Sequence, residues 1–518
     1  MSPSLRSKGN VIYGLATESD VIVSSAQDII DIVKNSNVEK AGQANAFVLV
    51  PIQEHVPSFV LAISPVVNGQ SYLTVNDWYT KTTQCCLTSN MEVIGIGADG
   101  DSKFRKYFIQ RFMNGELQTG GNIITIPYES FEYVSVIEKI NDLEIPTLMF
   151  PDWQHLRKKW TNQLLNVKRI LVIGNQVAQL EHLIKTYEAH KLESGLWKSN
   201  IFVKDNQNVK AATRILGDTV QQCMVSMDAE RTIGTRVYLK MGRNMLRAYT
   251  KPNISVKECV RLAWSAVSFL RLRKTWLIIS GFKAETLFIS DQTYNDFILT
   301  GNGIILSMKI YSVYCPNQPY HPWMLGSNAC EEQFAGLSGF CRGKSNLCKL
   351  DMIDLSGRIQ KLKELKLLGV GLPEAHTPDW NDIDKEITEG MKSADKEVLK
   401  TIELLGMLPN LVKGNIIRQE GDNLIYLNRA VETWINSEEF IPDESKVIDI
   451  DELAELDNGI LLENLDNLNE NKHIIFLTNL AVANTSKADY NSDSGHDGDP
   501  RNCVTFAKGT CKYKTKIL

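Results

Sequence analysis

Four acidic residues stand where a chain could use them for chemistry. Asp99 follows the apolar run Val93–Gly97, Asp152 follows a second such run at Ile145–Phe150, and Glu331 and Glu332 are neighbours in a segment with helical patterning. Carboxylates that are distant in sequence but able to converge are what a pair of hard divalent cations needs. Oxygen ligands hold the ions, which activate the attacking oxygen and stabilise the leaving oxygen in phosphoryl transfer. Each aspartate taken alone is better explained as a helix-start residue accepting hydrogen bonds from free backbone N–H groups. Only the set of them points to a site.

Competing chemistries lack their motifs. The chain has no GxxxxGK[ST], no GxGxxG after a strand, no GxSxG and no HExxH, which removes the common nucleotide, hydride, esterase and zinc-protease readings. Gly174-Asn175 resembles a phosphate turn only weakly and reads as an ordinary turn. The ten cysteines include no CxxC pair with partner spacing, so no zinc finger is visible. Cys330, Cys341 and Cys348 with His321 fit no familiar zinc spacing and read as reduced thiols.

The elements that must position the acids form βα units. Strand-like runs occur at Val11–Ala16, Ala46–Pro51 and Phe59–Ile63, with a helix expected near Trp78–Cys86. After Asp99, Lys103–Phe112 places Phe104, Tyr107, Phe108 and Phe112 at helical spacing. After Ile145–Phe150, Pro151 suits a helix start, and the helix would carry His155, Lys159 and Asn162. Ligands of α/β sheets gather beyond the carboxyl ends of the strands, so Asp99 and Asp152 are expected near one another.

Ile170 to Ser307 has helical periodicity, Ser307–Tyr314 reads as a last strand or a buried helix end, and Pro316–Pro322 breaks the chain. Asn328–Leu337 should be helical. Two further helices, near Ile353–Leu368 and Asp384–Leu405, have apolar positions suited to packing against each other.

The 518 residues, 43% of them hydrophobic, are ordinary for globular protein. No apolar run of about eighteen residues and no signal-like start occurs, so the expectation is an intracellular protein, nuclear or cytoplasmic, without a membrane. A net charge of −5 excludes a protein that is basic throughout, yet charge is uneven. Arg157, Lys158, Lys159, Lys168 and Arg169 form one basic cluster, and Arg236, Lys240, Arg243, Arg247 and Lys251 another at near-helical spacing; each could be a nucleic-acid surface or a solvated helix face. The acidic block from Glu438 to Glu470 would repel phosphates, and from Ser486 the composition suggests a loose tail.

Three stretches, in this order, resemble P-element and THAP-associated transposases. Val93 to Ser102 (VIGIGADGDS) is similar to that family's strand ending in the second catalytic aspartate. Asp152 to Asn162 (DWQHLRKKWTN) resembles its D-x-x-H-x-x-K-x-x-x-N block, and Ser327 to Phe334 (SNACEEQF) the helix bearing the third, glutamate ligand. The resemblance spans about Asn10 to Met407. It implies an α/β, RNase H-like core with a mixed sheet, interrupted by a large mostly helical insertion and followed by a helical C-terminal region. The corresponding divisions are 1–169, first part of the core; 170–306, insertion; 307–372, return to the core with the glutamate helix; 373–485, helical and acidic region; and 486–518, tail.

By the same resemblance, Asp99, Asp152 and Glu331 or Glu332 would be catalytic, with Asp99 and Glu331 holding Mg²⁺ or Mn²⁺. His155, Lys158, Lys159 and Asn162 would face nucleic acid. DNA is the implied partner, either transposon ends or DNA in general, and GTP in the insertion, a homo-oligomer and a host protein partner are further implications. The family's first aspartate has no counterpart, since MSPSLRSKGN precedes Val11 and Asp20 reads as a turn residue, and its amino-terminal zinc-binding domain is not seen. The expectation is a truncated or decayed transposon-derived protein with an incomplete nucleotidyltransferase site. The alternative is a non-catalytic protein-interaction scaffold of the same origin.

Overall fold

The computed structural model describes residues 6–8, 11–13, 21–34, 43–52, 56–66, 71–98, 101–111, 123–128, 131, 133–140, 143–166, 169–202, 208–340, 355–363, 377–420 and 423–426. Asp20, Asp99, Lys168, Cys341, Cys348, the acidic block and the tail lie outside the described residues.

The chain opens with a three-stranded antiparallel sheet, β1 (Arg6–Lys8), β2 (Val11–Tyr13) and β3 (Val21–Ile22), followed by α1 (Ala26–Lys34). Strands β4 (Gln43–Leu49) and β5 (Phe59–Val66) pair antiparallel, and α2 (Tyr72–Thr88) follows. Next come β6 (Gly95–Ala98), α3 (Ser102–Ile109), the antiparallel strands β7 (Ile123–Ile124), β8 (Ser135–Ile140) and β9 (Leu143–Pro146), then β10 (Leu148–Pro151) and α4 (Trp153–Leu164). The two expected βα units are β6–α3 and β10–α4. Strands β6 and β10 pair in parallel, with Pro151 opposite Ala98, so both strands end at the same edge. All four side chains of β10 are buried, as its unbroken apolar sequence requires of a strand covered on both faces. Pro151 closes this strand and does not start the helix; Asp152 is the cap of α4. Asp101 caps α3, its side chain accepting from the Lys103 N–H at 3.0 Å.

The region from Ile170 begins with a hairpin, β11 (Leu171–Ile173) and β12 (Gln176–Ala178). Gly174 turns it with φ +62°, and a Cβ there would strike the Leu405 carbonyl oxygen. Gly174-Asn175 is therefore a packed turn, with the Asn175 N–H donating to that carbonyl at 2.9 Å. Helices follow: α5 (Leu180–His190), α6 (Lys198–Ile201), α7 (Val209–Ile215), α8 (Asp218–Asp228), α9 (Ile233–Thr250), α10 (Val256–Ile279), α11 (Ala284–Leu287) and α12 (Asp291–Tyr314). Ser307–Tyr314 is the last part of α12, buried at Ser307, Met308, Ile310 and Tyr311 but exposed at Val313. Helix α10 is buried along most of its length between α9, α12 and α15 (Ile383–Leu404), which explains why its apolar residues are not confined to one face.

Helix α13 (Asn328–Phe340) is followed by α14 at 355–363; after α15 come α16 (Leu408–Lys413) and the hairpin β13 (Ile417–Glu420) and β14 (Asn423–Tyr426). Among the described residues, the last two long helices pack elsewhere than on each other. The stripe Ile387, Met391, Ala394, Val398 and Ile402 of α15 is buried, and this helix lies along α10. Gly390 permits the approach, since a Cβ there would lie 2.7 Å from the Lys257 carbonyl oxygen. Ile359 of α14 instead joins Phe334 and Leu337 of α13 and Ala46, Val48 and Ile63 of the β4–β5 hairpin in a second, smaller core. The described strands fall into six sheets of two or three strands, and the described residues are mostly helical. Among the described residues, no helix is long and apolar enough to cross a membrane.

Two contacts fix the βα units. The buried Asp296 of α12 accepts from Arg105 Nε of α3 at 2.6 Å and from Lys159 Nζ of α4 at 2.5 Å. A buried anion is tolerated when cations and hydrogen bonds compensate it, and here both units share one carboxylate. At β6, Gly97 leaves room for the segment ahead of α13: a Cβ at this position would lie 2.6 Å from the Gly326 carbonyl oxygen.

Asp296→Asn should lower unfolding free energy in urea by about 2 kcal/mol or more, because two cations at a largely buried position lose their anion; a loss well under 1 kcal/mol would contradict the clamp. Gly97→Ala should cost about 1–3 kcal/mol through overpacking, whereas Gly339→Ala, where a Cβ would meet nothing within 4 Å, serves as the control.

Candidate functional site

The carboxyl end of β10 runs directly into Asp152. Its backbone N–H donates to the Ala98 carbonyl at 2.9 Å, which extends the parallel pairing to the first residue beyond the strand. Its side chain is fully buried and accepts from two directions: the Gln154 N–H at 2.7 Å, which caps α4, and the Ser327 hydroxyl, which stands just ahead of α13. A free α4 N–H and an incoming helix are thus satisfied by one carboxylate.

One turn along α4, His155 projects on the same side. Its Nδ1 is 3.7 Å from Asp152 Oδ2, and its Nε2 is 2.8 Å from Oε1 of Glu331. On α13, the Glu331 N–H bonds to the Ser327 carbonyl at 3.1 Å, so the Ser327–Asp152 contact sets the helix turn that carries the glutamate. Adjacent side chains on a helix point about 100° apart, and accordingly Glu332 is exposed while Glu331 turns toward His155. Asp152, His155 and Glu331 each offer a ligand atom, all within 4.8 Å of one another.

The charges around this cluster balance. Burial disfavours the imidazolium of His155, but the hydrogen bond with Glu331 and the negative Asp152 outweigh it, and the His155 pKa lies above its ordinary value. The Glu331 carboxyl is held below its ordinary value by the His155 hydrogen bond, against the opposing effect of burial, with help from Lys158 and Arg157. The buried Lys158 lowers the affinity of His155 for its proton and favours the ionised Glu331. Burial depresses the Arg157 pKa, and the fields of Asp152 and Glu331 oppose that depression.

The structure therefore brings Asp152, His155 and Glu331 together, with Lys158 and Arg157 beside them. Lys159 is committed to Asp296, Asn162 is half-buried on the same helix, and Glu332 faces away. Asp99 comes next in sequence after Ala98 but lies outside the described residues. Cys330 is buried and donates to the Ala46 carbonyl, as a reduced core thiol would. The basic stripe on α9 is largely neutralised within the chain: Lys240 pairs with Glu397, and Arg243 and Arg247 both pair with Asp218. Sequence reasoning gave no role to Ser327 or Asp296. A serine immediately before a helix is a common cap, and nothing local signals that its hydroxyl reaches a carboxylate 175 residues away.

In chemical terms, one imidazole and two carboxylates make a mixed nitrogen and oxygen set. Such a set suits Mn²⁺ or Zn²⁺ better than Mg²⁺, which favours oxygen alone.

No protein-family model matches the chain, and no curated protein matches it. Among solved structures, the Drosophila P element transposase strand transfer complex is a structural neighbour at 13% identity with a TM-score of 0.43, over 60% of this chain and 68% of that one.

Proposed function

We propose that the chain is a transposon-derived, nucleic-acid-binding protein in which Asp152, His155 and Glu331 hold one divalent cation of the Mn²⁺ type. The observation that supports the reading is the convergence of these three side chains at the end of the β6–β10 pair, with Arg157 and Lys158 adjoining. Its link to DNA comes from the transposase-like order of the three sequence stretches. A bound cation would supply Lewis-acid stabilisation of phosphate charge. The chain's own residues do the rest: Asp152 fixes both helices, Glu331 supplies negative charge, Arg157 attracts phosphate, and the buried Lys158 keeps Glu331 ionised. Asp99 is proposed as a further carboxylate ligand on the sequence motif alone. The chain's role is binding to DNA; strand transfer would need ligands for a second cation beyond these three.

Isothermal titration with Mn²⁺ should give one site, weakened at least tenfold by Glu331→Gln or His155→Ala and little changed by Glu332→Gln. Equal weakening by Glu331→Gln and Glu332→Gln would refute the assignment of Glu331.

The metal-free pair has a definite pH response. The stabilisation from His155, whose pKa is raised, is fully present below the unfolded value near ~6.5 and is lost as pH rises through the folded value. The stabilisation from Glu331, whose pKa is lowered, is present above the unfolded value near ~4.3 and is lost as pH falls through the folded value. The contact therefore contributes most between about pH 4.3 and 6.5. In an NMR titration, Glu331→Gln should move the His155 pKa downward, because burial remains while the hydrogen-bonded anion is gone; an unchanged or higher value would contradict the contact.

Binding of the full chain to duplex DNA, followed by fluorescence anisotropy, should weaken steeply as salt rises, by about 0.9 in log–log slope per phosphate neutralised. A flat salt dependence, or no DNA binding, would favour the protein-interaction scaffold instead.

A further inference from the structure

Helix α7 packs on α4, and one face of it carries Lys210, Thr213 and Arg214 at spacings of three and four residues. From α4, Arg157 Nη1 donates to the Thr213 hydroxyl at 2.9 Å, and the same guanidinium feels the charges of Asp152 and Glu331. Beyond it, Arg214 lies 4.0 Å from the centroid of the Trp197 ring. Trp197 is 51% exposed, which is unusual for the largest apolar side chain, and the next residue, Lys198, is exposed too. Among the described residues, no carboxylate pairs with Lys198, Lys210 or Arg214, in contrast to the α9 stripe. The surface thus runs from the Asp152–His155–Glu331 cluster through Arg157 and the α7 face to an open indole.

We propose that this surface binds single-stranded DNA, with a base stacked on Trp197 and phosphates on Lys198, Lys210 and Arg214. The proposal rests on the nucleic-acid reading above and names the form of substrate. An aromatic face at a surface gains from a base only if that base is free of its duplex stack, whereas cations act on any backbone; together they favour an unpaired strand. Arg214 takes one side of the indole and holds the ring, so that less side-chain freedom is lost when a base arrives.

The test is fluorescence anisotropy of the full chain with a labelled mixed-sequence strand and the same sequence as duplex. Trp197→Ala should weaken single-strand binding about tenfold, leaving the salt slope and duplex affinity unchanged. Trp197→Phe, which keeps an aromatic face, should restore most of the loss. Lys210→Ala should reduce the single-strand salt slope by about 0.7. If the wild-type chain binds DNA but Trp197→Ala binds the single strand equally well, this surface assignment fails while the DNA reading stands. If the wild-type chain binds neither strand nor duplex, the DNA reading itself fails.

Discussion

The Asp152 carboxylate is the contact on which the candidate site depends. It is fully buried, and it is satisfied by the Gln154 N–H on one side and the Ser327 hydroxyl on the other. Burying a carboxylate without partners would cost several kcal/mol, roughly, so the two donors must be delivered together. That requirement joins the start of α4 to the start of α13. Once both helix starts are fixed, regular helix geometry places His155 one turn along the first and Glu331 one turn along the second, at hydrogen-bond distance. Gly97 completes the arrangement by leaving space for the Gly326 carbonyl above β6.

The surrounding scaffold holds this junction from behind. Asp296 joins α3 and α4 to α12, and Trp160 of α4 stacks on Tyr238 of α9 with ring centroids 4.1 Å apart. Deeper in the helical region, Asp395 of α15 accepts from Trp264 Nε1 and Ser268 Oγ of α10 and from the Tyr128 hydroxyl. Burial raises the Asp395 pKa, and these three donors oppose the rise. Such groups specify which helices meet, because each polar atom has few acceptable partners in a dry interior.

Local patterns in the chain were informative wherever a single element decided the outcome. The βα units around β6 and β10, the helix bearing Glu331 and the helical stretch after Ile170 follow from periodicity and capping residues. Pairwise choices were not legible. The apolar stripe of α15 is compatible with α14 or α10, and only the whole fold selects α10. Glu331 and Glu332 are one residue apart in an otherwise similar setting, and it took the orientation of α13 to separate them. The α9 cations were ambiguous for the same reason: the stripe satisfies the composition rule for nucleic acid and equally that for a solvated helix face, and only the fold places Asp218 and Glu397 against it. The Trp197 and Arg214 pair, by contrast, spans sequence that carries no dense basic run.

The central claim is that three side chains from two distant helices form one cation site. Anomalous diffraction at the manganese edge from crystals soaked in Mn²⁺ tests it most directly. A single strong peak is expected within bonding distance of Asp152, His155 and Glu331, with the hydrogen bond between His155 and Glu331 broken to admit the ion. Manganese bound elsewhere, with the His155–Glu331 hydrogen bond intact, would contradict it.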